Sequence, residues 1–391
     1  MTPIPPSELF PTHRPLTPDQ VFGRATDIDL LTSQLQRGAH QVVVGTQGSG
    51  TSTLGAAVAA ALRRRRRQVC AVDVPRLGGP WDFPSTLAFA VLGEHPPITL
   101  DGPGLRRGGS DAASLPTVSQ QLFGELGPAY DGRNAPGDAV DSPAAAWASA
   151  LPEQVAMADG DKVVLLADFP PFQRWASDNR SVISPLLDAL SRFPHVACLA
   201  VGTPGLLAAG TNRTAGFEER TVTPLTPDAW RHDLASRYAA GGCTVDDRAL
   251  DQLIEAGGGH PRAIMLIAQT AYEEAVARRL SRITAGTVQQ ATRHAANRLY
   301  HKETMKLIAT VLGRPAMMVM RQLASGQAPY AGVADTKAVS RAIRRLYDAG
   351  FVDQPGGRRT RWRVVDPFLG QFLAALGPVP GLAAGGGRRV R

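Results

Sequence analysis

The stretch that most constrains the fold is Gln41–Leu62, QVVVGTQGSGTSTLGAAVAAAL. Val42–Val44 predicts a strand buried on both faces, and the small apolar residues after Thr51 predict a helix. Between them, Gly45, Gly48 and Gly50 let the backbone curl so that successive N–H groups converge on one concave spot. The helix adds the positive end of its dipole, so an anion is favoured there. The spacing is that of the phosphate-binding pattern G-x-x-x-x-G-K-[ST], with one change. Gly45 and Gly50 frame four residues, Ser52 stands where a hydroxyl would ligate Mg²⁺, and Thr51 replaces the lysine. An ammonium there would bridge the β- and γ-phosphates, and a hydrogen bond to a charged group contributes about 1.5–3 kcal/mol. A neutral hydroxyl returns part of that and neutralises no charge in a transition state. The expectation is a site for ATP or ADP with Mg²⁺ in which binding survives and hydrolysis fails. The plain alternative is a glycine turn between strand and helix with no ligand.

At 391 residues the chain is long enough for two or three domains. No apolar run is long enough to cross a membrane, and MTPIPPSELFPTHRPLTP has neither the apolar core nor the cleavage site of a secretory signal. Cys70, Cys198 and Cys243 are far apart and form no metal-binding spacing. These features give an expected cytoplasmic location and no membrane partner. The formal charge of +8 permits nucleic acid as a partner. Lysine occurs only at Lys162, Lys302, Lys306 and Lys337, so arginine carries nearly all the basic charge and its abundance alone marks no surface. The five arginines Arg63–Arg67 read as a solvated helix end that complements the dipole.

The order of segments predicts an α/β chain. Residues 1–20 are proline-rich and are expected as an extended arm. Residues 21–222 form an α/β core with a parallel sheet flanked by helices. Its strands are expected at Val69–Val74, Lys162–Asp168 and Val196–Val201, and its helices at Phe83–Val91, Ala144–Ala158 and Val182–Arg192. Residues 93–143, rich in Gly, Pro, Ser and Asp, read as a partly disordered insertion with a short helix at Ser119–Leu126. Residues 223–300 predict a helical lid, with Thr226 or Asp228 capping its first helix. Residues 301–376 predict helices at Glu303–Leu312, Ala316–Ala324 and Thr336–Ala349, then strands at Phe351–Gln354 and Arg361–Val365 around a Pro355-Gly356-Gly357 turn. That pattern is a winged helix-turn-helix. Residues 377–391 are expected as a disordered tail.

Three further positions carry candidate chemistry. Asp168 ends an apolar strand, where ligands gather in open α/β sheets. Thr203 follows another buried strand and either meets a phosphate or caps the next turn. Gly257-Gly258-Gly259-His260-Pro261-Arg262 leads into a helix, with proline in the first turn. His260 itself reads as a turn residue rather than a ligand. In the last segment, Lys337, Arg341, Arg344 and Arg345 lie on the expected recognition helix, and Arg358, Arg359, Arg361 and Arg363 on the expected wing. This is the charge layout of a module that reads double-stranded DNA, though such modules also pack on protein partners.

This order of parts over roughly residues 21–376 resembles the AAA+/STAND superfamily of P-loop ATPases, in particular archaeal-type ATPases and replication initiators with a C-terminal winged helix. The residues that carry the resemblance are Phe22-Gly23-Arg24, the glycine loop, Asp168, Thr203, the Pro224-Leu225-Thr226-Pro227 junction, His260-Pro261-Arg262 and Val364-Val365-Asp366-Pro367-Phe368. The resemblance implies that Gly23 and Arg24 lie beside the adenine, with Pro261 near it. It implies that Gly45, Gly48, Ser49, Gly50, Thr51, Ser52 and Thr53 meet the nucleotide, that Asp168 and Ser52 hold Mg²⁺, and that Thr203 and Arg262 act as sensors of the γ-phosphate. Two positions depart from the pattern: Thr51 replaces the lysine, and Phe169 replaces the glutamate that activates water. Two losses in separate motifs point to a switch or scaffold that does not hydrolyse ATP. Two alternatives stay open. One is an active ATPase using Arg262 or an arginine from a neighbouring subunit of a homo-oligomer. The other is a DNA-binding regulator with a vestigial nucleotide site.

Overall fold

A computed structural model of the chain describes residues 4–12, 16–73, 98–101, 104–107, 163–168, 196–206, 216–296, 305–306, 308–331, 335–354 and 362–376. Its helices are α1 (Pro6–Leu9), α2 (Ala25–Gln36), α3 (Thr51–Arg64), α4 (Pro227–Ala240), α5 (Asp247–Ala256), α6 (Pro261–Ala277), α7 (Ala285–Ala296), α8 (Arg314–Ala324), α9 (Thr336–Asp348) and α10 (Pro367–Ala375). Its strands are β1 (His40–Val44), β2 (Gln68–Asp73), β3 (Ile98–Asp101), β4 (Gly104–Arg107), β5 (Val163–Asp168), β6 (Val196–Gly202), β7 (Phe217–Thr221), β8 (Thr244–Val245), β9 (Arg282–Ile283), β10 (Val352–Asp353) and β11 (Arg363–Val364). The chain forms two compact units: Arg24–Val44 with Thr51–Thr221, and Met1–Gly23 with Gly45–Gly50 and Val222–Arg391.

The first unit is built on a five-stranded sheet in the order β2-β5-β6-β1-β7, every pair parallel. Continuous apolar runs suit strands covered on both faces, and β1 and β6 are buried at every position. The expected strands at Val69–Val74, Lys162–Asp168 and Val196–Val201 each appear within a residue or two. One strand was not foreseen. β7, FEERT, is a half-exposed edge with no apolar run. Its polar side chains pair back onto the neighbouring strand: Gln41 donates from Nε2 to Glu218 at 3.2 Å and accepts at Oε1 from Arg220 Nε at 3.2 Å. Buried His40 accepts from the Cys198 N–H at 3.2 Å and lies against Phe217. The segment read as a partly disordered insertion contains the antiparallel pair β3–β4. The helices expected at Phe83–Val91, Ser119–Leu126, Ala144–Ala158 and Val182–Arg192, and the tail 377–391, lie outside the described residues.

The second unit has its core among α4, α5, α6 and α7, with Trp230, Tyr238, Leu253, Ile264, Tyr272 and Val288 buried. Thr226 is the cap of α4, accepting from the Ala229 N–H. The N-terminal stretch is not an extended arm. Leu9 and Phe10 are buried in this core, and the Phe10 ring lies 4.9 Å from Tyr238 and 6.0 Å from Tyr272. Arg237 fixes the stretch from below, donating to Leu9 O at 2.7 Å and Gln20 O at 2.8 Å while its Nε meets Asp233 at 2.6 Å. Burial pushes the Asp233 carboxyl up against the pull of that guanidinium.

The C-terminal part of this unit is a helix pair, α8 and α9, followed by the two-stranded antiparallel ribbon β10–β11 and then α10. Within the helix expected at Glu303–Leu312, residues 305–306 are α-helical and Ile308–Leu312 is wound as a π-helix, which Gly313 follows at φ +85°. α9 buries Val339, Ala342, Ile343 and Leu346 and begins at Asp335, whose side chain accepts from the Ala338 N–H at 2.9 Å. Among the described residues no helix is long and apolar enough to cross a membrane.

The packing of Phe10 predicts that Phe10→Ala lowers stability by about 3–5 kcal/mol, the usual loss for a buried phenylalanine. A urea unfolding series followed by tryptophan fluorescence reads this. A midpoint equal to that of the unaltered protein would show that the stretch is not part of the core.

Candidate functional site

The first unit places several predicted residues at one edge of its sheet. The β1–β6 and β5–β6 registers pair Val44 with Gly202 and Asp168 with Val201. The carboxyl ends of β1, β6 and β5 therefore lie side by side, and that is where ligands bind in open parallel sheets. Asp168 is the last residue of β5, and Thr203 directly follows β6 and is half-buried. Thr51, Ser52 and Thr53 form the first turn of α3, also half-buried. Arg24, the N-cap of α2, is buried and paired with Asp27 of its first turn at 3.2 Å.

The loop Gly45–Gly50 connects β1 to α3, and it belongs to the second unit. Gly48 and Gly50 take the left-handed conformation, at φ +70° and +92°, that the curl requires. The Ser49 N–H donates to Thr46 O at 3.1 Å and the Gln47 N–H to Gly350 O at 3.1 Å. Ser49 Oγ is buried with no hydrogen-bond partner among the described residues. A buried hydroxyl left this way is costly, and an incoming acceptor would relieve it.

His260 is where the sequence reading was too modest. It caps α6 through Nδ1, which accepts from the Ala263 N–H at 3.3 Å, so the ring proton sits on Nε2. Nε2 then donates to Gln47 O at 2.6 Å. Burial holds this imidazole below the ordinary histidine value. The Asp366 carboxylate and the Gln47 carbonyl pull the other way, and Arg262 and Arg363 reinforce the burial. A neutral ring is what both hydrogen bonds need. A Cβ on Gly48 would lie 2.6 Å from His260 Cε1 and 3.1 Å from Arg262 Cβ, so only glycine fits beneath them. Pro261 and Arg262 are the first residues of α6, and Arg262 lies against Gly48 of the glycine loop. From the sequence the histidine reads as a turn residue before a first-turn proline; neither its cap nor its long-range partner follows from that reading.

The gap left between the loop, His260, Arg262, Gly350 and Asp366 is about 10 Å³, room for a single water. Asp366 caps α10 by accepting from the Phe368 and Leu369 N–H groups. Gly23, at φ +62°, packs on Leu225 and Ala229, where a Cβ would lie 2.9 Å from Leu225.

The other predicted contact residues that the structure describes lie on α9 and on β11. Lys337, Arg341, Arg344 and Arg345 are all exposed on the face of α9 opposite its buried residues. Arg344 is paired with Asp348 at 3.0 Å. Arg363, counted with the wing cations, instead makes two bonds to Asp353 across the ribbon, at 2.8 and 3.1 Å. Arg358, Arg359 and Arg361 lie outside the described residues. Among the described residues no three His, Cys, Asp or Glu side chains gather as a metal cluster.

No protein-family model and no curated protein matches the sequence. Solved structures do match. The Walker-type ATPase of Pyrococcus abyssi superposes over 93% of this chain and 99% of its own, with a TM-score of 0.61 and 14% identity. The ORC2 protein of Aeropyrum pernix, solved as ADPNP and ADP complexes, superposes over 95% of this chain and 96% of its own, with a TM-score of 0.50 and 14% identity. With its parallel sheet, its glycine loop between β1 and α3 and a match along nearly its whole length, the chain shares the fold of these Walker-type ATPase and ORC2 structures.

Proposed function

We propose that this protein is a nucleotide-binding switch that takes ATP or ADP with Mg²⁺ and hydrolyses it slowly or not at all. The observation that carries this reading is the glycine loop itself. Gly48 and Gly50 adopt the left-handed conformations of a phosphate cradle, Ser49 Oγ lacks a partner, and the loop runs directly into α3. Mg²⁺ bound with phosphates needs only one or two protein ligands. Ser52, in the first turn of α3, and Asp168, at the end of β5, fit that requirement. The ion would neutralise phosphate charge. The backbone of the loop would bind the phosphates, and Ser49 would donate to one of them. Thr51 supplies no cation, and Phe169 supplies no base to activate water. Arg262 at the start of α6 brings one positive charge to the loop, enough to favour binding without restoring a water-activating group.

The switch would act on the C-terminal module, read here as a winged helix. Four exposed cations on one face of α9 favour double-stranded DNA as its partner. A protein partner or a second copy of the chain would use the same face differently, and salt dependence separates these cases.

Two measurements test the proposal. In a thermal melt, ATP–Mg²⁺ and ADP–Mg²⁺ at about a hundredfold excess over Kd are expected to stabilise the protein by about 2.7 kcal/mol. Gly50→Asp, which puts a carboxylate into the cradle, removes the effect. Turnover that Asp168→Ala abolishes would overturn the non-hydrolysing reading, and no thermal shift at millimolar nucleotide would overturn binding. In a fluorescence titration with duplex DNA, neutralising four phosphates gives a log–log salt slope of roughly −3.6, and Arg341→Glu with Arg345→Glu reduces it to about half. An affinity indifferent to salt and to both substitutions would exclude DNA as the partner of this face.

A further inference from the structure

Gln47 has both of its backbone polar groups committed outside the glycine loop. Its N–H donates to Gly350 O at 3.1 Å, and its C=O accepts from His260 Nε2 at 2.6 Å. Gly350 is the left-handed residue, φ +74°, that ends α9 and turns the chain toward β10. His260 is the cap of α6. One residue of the phosphate loop therefore ties together the start of a lid helix and the turn between the basic helix and its ribbon. The contact is close-packed. Gly48 has no room for a Cβ beneath His260, and the adjoining gap holds at most one water.

A glycine loop binds phosphate by pointing successive backbone N–H groups at it. Here the Gln47 N–H is spent on the Gly350 carbonyl and the Ser49 N–H on Thr46 O. We infer that the Gly350 carbonyl stands in for a phosphate oxygen, and that Gln47, His260 and Gly350 form an autoinhibitory latch that nucleotide must open. Phosphate and Gly350 compete for the Gln47 amide. When phosphate wins, the turn after α9 loses its hold on the loop, and His260 loses the fixed carbonyl that orients it. The C-terminal module is then released from the loop without any bond being hydrolysed. This rests on nucleotide binding in the glycine loop, and it adds the way that binding would be reported to α9.

The test uses the full chain and a variant, His260→Ser. Serine keeps the cap of α6 but cannot reach Gln47 O. Removing one hydrogen bond of the latch is expected to tighten binding of a fluorescent ADP–Mg²⁺ analogue about fivefold, the usual net worth of one such bond in an equilibrium constant. Hydrogen exchange supplies the second readout. In the nucleotide-free protein the amides of 46–49 are protected, and they exchange faster in His260→Ser. Saturating ADP–Mg²⁺ is expected to speed exchange in the segment 348–353 of the unaltered protein. Nucleotide that binds both proteins equally, or that leaves 348–353 as protected as before, would overturn the latch and leave the nucleotide site standing. Binding to neither protein would overturn the nucleotide site and the latch with it.

Discussion

The backbone groups of a six-residue loop, Gly45–Gly50, tie together separate parts of the second unit. Backbone N–H and C=O groups withdrawn from water must pair somewhere. In this loop the pairing is divided between the loop itself, through Ser49 and Thr46, and distant parts of its own unit, through Gly350 and His260. The division requires glycine at 48, since the imidazole occupies the space a side chain would need. It requires a neutral, Nε2-protonated histidine at 260, which burial and the cap on Ala263 together enforce. It also requires a left-handed residue at 350, so that α9 can end and present its carbonyl. Three separated sequence positions are thus fixed by one set of hydrogen bonds.

The surrounding architecture makes that set rigid. α6 is held by the same core that buries Phe10, Trp230 and Tyr272, and Arg237 anchors the N-terminal stretch to it by two carbonyls. Tyr272 donates to Gly241 O while its ring closes the space above that residue, which leaves room only for glycine. At the other end, Asp366 caps α10, and Arg363 clamps Asp353 across the ribbon. His260 and Gly350 therefore approach Gln47 from elements that have little freedom of their own. Small shifts in such a packed cluster become discrete changes rather than gradual ones.

Much of the sheet was legible in the sequence, because buried parallel strands are written as apolar runs: Val42–Val44, Val163–Asp168 and Val196–Gly202. The edge strand β7 was not. Glu218, Glu219 and Arg220 read as solvent-facing, and nothing local shows that Gln41 waits to pair with Glu218 and Arg220. The N-terminal stretch misled for a related reason. Its prolines predict extended chain, and the cavity that Phe10 fills is made by residues more than two hundred positions away. At the site, the glycines and the carboxylate strand end could be read from local pattern. His260 reads as a turn residue and not as a partner of Gln47, because that bond spans 213 positions.

The missing lysine takes on a different meaning beside these hydrogen bonds. A switch needs ligand binding energy that exceeds the interactions it must break, and no more than that. Two hydrogen bonds at about 1 kcal/mol each put the hold on Gln47 near 2 kcal/mol. A nucleotide at about a hundred times its Kd supplies roughly 2.7 kcal/mol, which is sufficient to open such a contact. A lysine on the β- and γ-phosphates would add about 1.5–3 kcal/mol. The loop would then stay filled at concentrations where a switch should respond. In the proposed switch, Thr51 would keep the two terms comparable, and with Phe169 in place of a base the energy would come from binding alone. The two substitutions would then belong together: one would weaken the ligand to the scale of the contact it must break, and the other would let the ligand leave intact.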